Sequence, residues 1–265
     1  MRVMARHNVT VSGVDGAPVI VFAHGFGCDQ HMWRFVVPAF QADFQTVAFD
    51  FVGAGGSDLA AYDVDKYASL SGYAADVIEL VEQLDRGPVI FVGHSVATMI
   101  GVLASVERPD LFERLVLVGP SARYIDDGDY VGGFTAADID ELLESMDSNY
   151  LGWSHAITPV IMGRADQPEL AAELDESFCR TDPDIARRFA AATFLADNRD
   201  DLPRVSVPTL VLQCRNDAIA PLSAGEYVRD HVPGATFVQL DASGHCPHLS
   251  APAETAAAIG EFVRA

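Results

Sequence analysis

The sequence predicts an α/β fold, a mainly parallel and doubly wound sheet interrupted by a helical insertion. Three observations predict it. Short apolar runs of strand length alternate with segments of helical period as far as Pro120. From about residue 121 to 200 no convincing strand occurs. The alternation then resumes at Pro208. Strands buried on both faces and joined by helical crossovers make a parallel sheet, and 265 residues suffice for one domain of the larger α/β type. The organisation expected is a core of residues 1–120 and 201–265, with residues 121–200 inserted as a helical cap over the C-terminal ends of the strands.

The elements follow in order. Residues 3–11 alternate loosely and read as an edge strand. Residues 18–23 form an apolar run ended by His24-Gly25, a buried strand feeding a turn. Residues 31–40 read as a helix, 46–49 as a strand, and Gly53-Ala54-Gly55-Gly56-Ser57 as a tight loop. Residues 72–84 carry Ala74, Val77, Ile78, Val81 and Leu84 at helical spacing. A strand over 89–92, a helix over 96–107 and a strand over 115–118 complete the first half. In the insertion, helices are expected over 136–146, 150–162 (kinked or split at Pro159), 169–178 and 184–195. Asp182 or Thr181 caps the last of these, with Pro183 in its first turn. The second half reads as a strand over 209–213, a helix near 223–231, a strand over 236–240 and a closing helix over 252–263.

Composition excludes some classes of function. The chain has 38 acidic against 17 basic residues, a formal charge of −21, and a single lysine, Lys66. That average field repels phosphate backbones and anionic membrane surfaces, so neither nucleic acid nor membrane is an expected partner. The first residues lack the continuous apolar segment of a secretory signal, and a cytoplasmic location is expected. The four cysteines, Cys28, Cys179, Cys214 and Cys246, form no Cys-x-x-Cys pair and read as free thiols. No His/Cys cluster stands at metal spacing along the chain, there is no phosphate-binding Gly-Lys-Ser/Thr, and the glycines of 53–56 break the dinucleotide frame. No metal and no cofactor are expected.

The strongest chemical signal is Gly93-His94-Ser95-Val96-Ala97, set between a strand and a helix. That is the context of a nucleophile elbow, in which a serine on a sharp turn projects its hydroxyl above the sheet. The usual last glycine is Ala97 here, and Gly101 offers a further point of close approach. A serine hydroxyl needs a base. His245 follows a strand and precedes the last helix, on the edge of the sheet where ligands bind, and is preferred to His248. Asp217, just past the strand over 209–213, is the expected orienter of that imidazole, with Asp241 as a rival. The order Ser95, Asp217, His245 is that of the α/β-hydrolase fold. Oxyanion donors are expected at the N–H groups of Val96 and of Phe26, in His24-Gly25-Phe26-Gly27. His24 reads as a brace for that loop.

The chain also resembles the family that groups the bacterial stress-signalling hydrolase RsbQ with the plant karrikin and strigolactone receptor hydrolases, most closely the bacterial type. The resemblance is carried by residues 24–30, 50–58, 93–96 and 244–248, and inside the insertion by Asn149-Tyr150, Trp153, Phe178-Cys179 and Thr181-Asp182-Pro183. It implies a four-helix lid over a hydrophobic pocket, a triad at Ser95, Asp217 and His245, and oxyanion donors at Phe26 and Val96. It also implies pocket positions at Phe134, Trp153 and Phe194, with Ile157 where some relatives carry phenylalanine. Members are slow hydrolases of small apolar esters or lactones, and several work mainly as sensors. The bacterial one acts with a PAS-domain phosphatase.

The expected chemistry is hydrolysis of a small, mainly apolar ester or lactone through an acyl-enzyme. Two other readings use the same residues. One is a ligand-sensing protein with a partner in stress signalling. The other is carbon–carbon bond hydrolysis or perhydrolysis.

Overall fold

The computed structural model describes residues 2–265. Seven strands form one sheet: β1 (Thr10–Gly13), β2 (Val19–Ala23), β3 (Gln45–Phe49), β4 (Val89–His94), β5 (Phe112–Val118), β6 (Thr209–Asn216) and β7 (Thr236–Ser243). Their order is β1-β3-β2-β4-β5-β6-β7; β1 runs antiparallel to β3, and every other neighbouring pair is parallel. The helices are α1 (Arg2–Arg6), α2 (Leu70–Leu84), α3 (Val96–Glu107), α4 (Ala136–Met162), α5 (Pro168–Arg180), α6 (Pro183–Phe194), α7 (Leu222–His231), α8 (Pro247–Ser250) and α9 (Pro252–Val263).

The apolar runs explain the layering. Successive strand residues point to opposite faces, and both faces are covered. Val19, Val21, Phe91, Leu115 and Leu117 pack with α2 and α3. Ile20, Phe22, Val92, Val116 and Leu212 pack on the other side with Trp33, Phe40 and α9. The chain winds outward from β2 to β3, then returns past β2 to β4. The doubly wound sheet therefore reverses direction between β2 and β4, and a crevice opens beyond their carboxyl ends. Ala23 lies opposite Gly93 in that parallel pair, so the turn after β2 runs beside the turn after β4.

Three expectations are corrected. Residues 3–11 are not one strand. Residues 2–6 form a helical turn, Asn8 adopts a left-handed φ of 46°, and β1 begins only at Thr10. Tertiary contacts override the alternation: Val3 is buried, and Arg6 and His7 both reach Asp76 on α2. Residues 31–40 are not an α-helix but two short 3-10 turns, Gln30–Trp33 and Val37–Ala39. The buried triplet Trp33, Val36 and Phe40 has helical spacing, but Pro38 lacks the N–H that an α-helix needs at that point. The break in the insertion falls at Asn149 (φ −159°, ψ 79°), not at Pro159. Asn149 accepts the N–H of Gly152 at 3.0 Å, as a helix cap does. Pro159 sits near the helix end, where the carbonyl four residues back belongs to exposed His155.

Between β5 and β6 the chain runs through α4, α5 and α6. The entry and exit of this segment are tied together, since Arg123 bridges Asp197 and Asn198 N–H donates to Ala122 O at 2.8 Å. Among the described residues no helix is long and apolar enough to cross a membrane.

Candidate active site

Ser95 is one of three described non-glycine residues with positive φ (56°, with ψ −123°), and it joins β4 directly to α3. Such a conformation is unfavourable for a residue with a Cβ and persists only where the surroundings enforce it. Here Ser95 N–H donates to Val118 O at 2.9 Å, while its carbonyl accepts Thr98 N–H at 2.9 Å. Small residues make the turn possible. A Cβ on Gly93 would lie 2.6 Å from Ala97 O, and one on Gly101 would lie 2.5 Å from the Phe91 ring. The departure at Ala97 is thus accommodated, because the tight approach falls on Gly93 and Gly101.

Ser95 Oγ lies 2.7 Å from His245 Nε2, and His245 Nδ1 lies 2.7 Å from Asp217 Oδ2. Asp217 follows β6 immediately, and its side chain is fully buried. Its other oxygen accepts the N–H groups of Ile219 (2.8 Å) and Ala220 (3.0 Å), which fix the carboxylate plane. Rival Asp241 is exposed and pairs with Arg215. His245 is placed by its own backbone: its N–H donates to Ile161 O at the end of α4 at 2.7 Å. Gly244 (φ 87°) allows this approach, since a Cβ there would lie 1.9 Å from Met162 O. An imidazole between a carboxylate and a hydroxyl can take the hydroxyl proton while the carboxylate stabilises the resulting cation.

The turn after β2 runs against this elbow. A Cβ on Gly25 would sit 2.6 Å from His94 Nδ1 and 3.2 Å from Ser95 Cβ. Among the described residues, neither Phe26 N–H nor Val96 N–H donates to another backbone group. His24 braces this turn. One ring nitrogen donates to Gly25 O (2.8 Å) and the other accepts Phe51 N–H (3.1 Å). Asp50 holds the glycine-rich loop through Gln30 N–H and Gly56 N–H, both at 2.8 Å. That loop is structural.

Ser95 and His245 open into a narrow, mainly apolar pocket. Phe26, Phe134, Trp153, Ile157 and Phe194 all line it. Phe26 is its hub, with ring centroids 5.4 Å from Phe178, 6.2 Å from Phe194 and 6.3 Å from Trp153. Val96 is buried and does not line the pocket with its side chain. Sequence reasoning missed Leu142, Ile161, Leu174 and Ile219 as pocket walls. The helical period of α4 and α5 marks Leu142, Ile161 and Leu174 as inward-facing without saying against what, and Ile219, between β6 and α7, has no such period. Cys28 and Cys246 also line the pocket. Burial pushes both thiols above their usual range, so they are protonated at neutral pH.

His248 behaves differently from its neighbour three residues earlier. It is fully buried, neither ring nitrogen has a hydrogen-bond partner, and its ring packs in tilted contact with His94 (centroids 4.3 Å apart) and Trp33 (4.7 Å). Burial, with the nearby His245 and Arg34, pushes its pKa down to about 3. His248 packs at the start of α8 and makes no hydrogen bond. The expectation of no metal-spaced cluster holds along the chain but not in space. His94, Cys246 and His248 bring three donor atoms within 4.8 Å of one another.

Comparison with known proteins agrees with this architecture. Residues 20–258 match the model of the alpha/beta hydrolase family. The chain is 41% identical over 247 residues to a karrikin insensitive 2 receptor of Petunia hybrida, covering 93% of this chain and 91% of that protein. It is 39% identical over 258 residues to a strigolactone esterase of Arabidopsis thaliana, covering 97% and 94%. A solved hydrolase from Oleispira antarctica superposes with a TM-score of 0.96 at 38% identity, covering 99% of this chain and 96% of that one. The chain belongs to the alpha/beta hydrolase family, in the group that holds the karrikin and strigolactone receptor hydrolases.

Proposed function

We propose that the protein hydrolyses a small, mainly apolar ester or lactone through an acyl-enzyme. His245 takes the proton of Ser95 as Oγ attacks the substrate carbonyl. Asp217 holds the imidazole in the tautomer that leaves Nε2 free, and stabilises the imidazolium once formed. The N–H groups of Phe26 and Val96 receive the oxyanion. His245 then protonates the leaving oxygen. In the second half it activates water, which releases the acid and restores Ser95. Residues 121–200 act as the lid: Phe134, Trp153, Ile157 and Phe194 supply apolar walls that select for size and exclude water.

The observation that carries this reading is the hydrogen-bonded line Ser95–His245–Asp217, with both links at 2.7 Å, opening into an apolar pocket. The test is a panel of p-nitrophenyl esters of rising acyl length, run on the wild type and on Ser95→Ala. Turnover of short acyl chains that disappears in the variant supports the proposal. Equal residual turnover in the variant, or none on any ester or lactone in the wild type, overturns it.

A second reading is favoured by the relatives named as receptors. In it, slow turnover changes the state of the lid, and a protein partner, a PAS-domain phosphatase on the bacterial resemblance, reads that state. A partner-binding measurement with Ser95→Ala separates a protein that signals by occupancy from one that needs the chemistry.

A further inference from the structure

We propose that His94, Cys246 and His248 form a binding site for one soft monovalent cation, Cu(I), behind the pocket wall. The three donor atoms lie within 4.8 Å of one another, and all three side chains are buried. They come from separate parts of the fold, the end of β4 and the start of α8. Buried polar atoms are almost always paired, and these break the rule together. Both nitrogens of His248 and Nδ1 of His94 have no partner; the other nitrogen of His94 lies 2.7 Å from His245 O. Leaving such groups unpaired in a dry interior costs free energy that a ligand would restore.

The chemistry of the donors selects the ion. The unpartnered ring nitrogens of His248 and His94 offer lone pairs to an ion. A thiol binds such an ion as thiolate: the S–H bond breaks, the S–Cu bond forms, and the proton leaves to solvent. Two neutral imidazoles and one thiolate carry a single negative charge. A monovalent ion makes that assembly neutral, whereas a divalent one leaves a net positive charge in an apolar interior, where uncompensated charge is costly. Soft thiolate with imidazole suits Cu(I), which accepts two or three ligands without demanding a fourth. Entry is from the pocket, since His94 and Cys246 both line it.

Loading would also affect the neighbouring residues. His94 precedes Ser95 and Cys246 follows His245. On the proposed hydrolysis, on which this consequence rests, turnover falls in step with occupancy.

The test is anaerobic Cu(I) titration of the purified full chain against bicinchoninate, with X-ray absorption on the loaded protein. The expected result is one Cu(I) per chain, coordinated by one sulfur and two nitrogens. Cys246→Ser and His248→Phe should each weaken binding at least tenfold, and Cys28→Ser or Cys179→Ser should not. Failure of the chain to hold Cu(I) against the competitor overturns the site. So does coordination by two or more sulfurs, or wild-type affinity in both Cys246→Ser and His248→Phe. If those variants lose their near-ultraviolet circular dichroism, the sulfur and nitrogen count in the wild type decides alone. Binding with that coordination in a chain that turns over no ester keeps the site and sinks the hydrolysis.

Discussion

At the sheet rim, each side chain of the triad is held through the main chain. Ser95 hangs from Val118 O, Asp217 is pinned by two amides of its own turn, and the His245 amide is bonded to Ile161 O. In the helical insertion, the side chains of Trp153 and Phe194 are placed by packing, with ring edges against Phe26 and apolar contacts among α4 and α6, and Ile157 lines the pocket beside them; Phe134 alone of the four is also tied by its main chain, to Tyr124 O and Asp126 N–H. Backbone hydrogen bonds fix a position to fractions of an ångström, and packing among flexible side chains tolerates rearrangement. The rim should therefore govern the rate of the chemistry, and the insertion should govern which molecule receives it.

The largest expected effect breaks the rim without moving it. Asp217→Asn keeps the shape of the carboxylate but not its charge, and leaves His245 in the wrong tautomer. Turnover of a p-nitrophenyl ester should fall about 10⁴-fold, with an unchanged thermal transition. A loss below tenfold would mean that the Asp217–His245 contact orients nothing that matters.

Next comes the turn after β2. Gly25→Ala would set a methyl group 2.6 Å from His94 Nδ1. The turn must move, and the Phe26 amide moves with it. A drop of about 10²-fold in kcat, the scale of one lost oxyanion donor, is expected with little change in KM. If KM rises alone, the turn shapes the pocket and not the transition state.

Behind the rim, His248 makes the protein sensitive to acid. Its ring stays neutral down to about pH 3 in the fold, but in the unfolded chain it takes a proton below roughly pH 6.5. Between those values the unfolded state binds more protons, so stability falls as the pH drops. From pH 7 to pH 5 this one ring should remove about 2 kcal/mol. Urea unfolding at both pH values, on the wild type and on His248→Phe, reads the difference. An equal loss in both proteins would put the sensitivity elsewhere.

The same contrast governs what could be read from the sequence. The rim was legible because strand ends, glycine spacing and the chain order Ser95, Asp217, His245 are sequence features in their own right. Phe134, Trp153, Ile157 and Phe194 were reached through resemblance, and their neighbours Leu142, Ile161, Leu174 and Ile219 were not reached. Burial can be read from a helical period, but the identity of the facing surface depends on how α4 and α5 cross the rim. The amide bond from His245 to Ile161, which joins the two regions, had no signal at all: its partners are backbone atoms 84 residues apart. Residues 3–11 and 31–40 misled because local periodicity was overridden, by the contacts of Arg6 and His7 in one case and by Pro38 in the other.

Within the insertion, Ile157→Phe adds bulk to a wall held only by packing. The expectation is a shift of preference towards shorter acyl chains, with kcat/KM on the longer ones falling roughly tenfold and kcat on acetate barely changed. A uniform fall in kcat across the panel would mean that the wall is coupled to the rim, with the Ile161–His245 bond as the route.

The smallest effect tests the insertion's own frame. Asn149 interrupts α4 and caps its second half through Gly152 N–H. That half runs to Met162, and the carbonyl of Ile161 in its last turn positions His245. Asn149→Ala should cost about 1 kcal/mol of stability, as loss of a helix cap does. If rim and insertion are held independently, the ester rate at saturation should not change, because the Ile161 end lies three turns from the lost cap. A matching fall in kcat would show instead that the helix transmits its strain to the base, and the division between the two regions would then be one of degree.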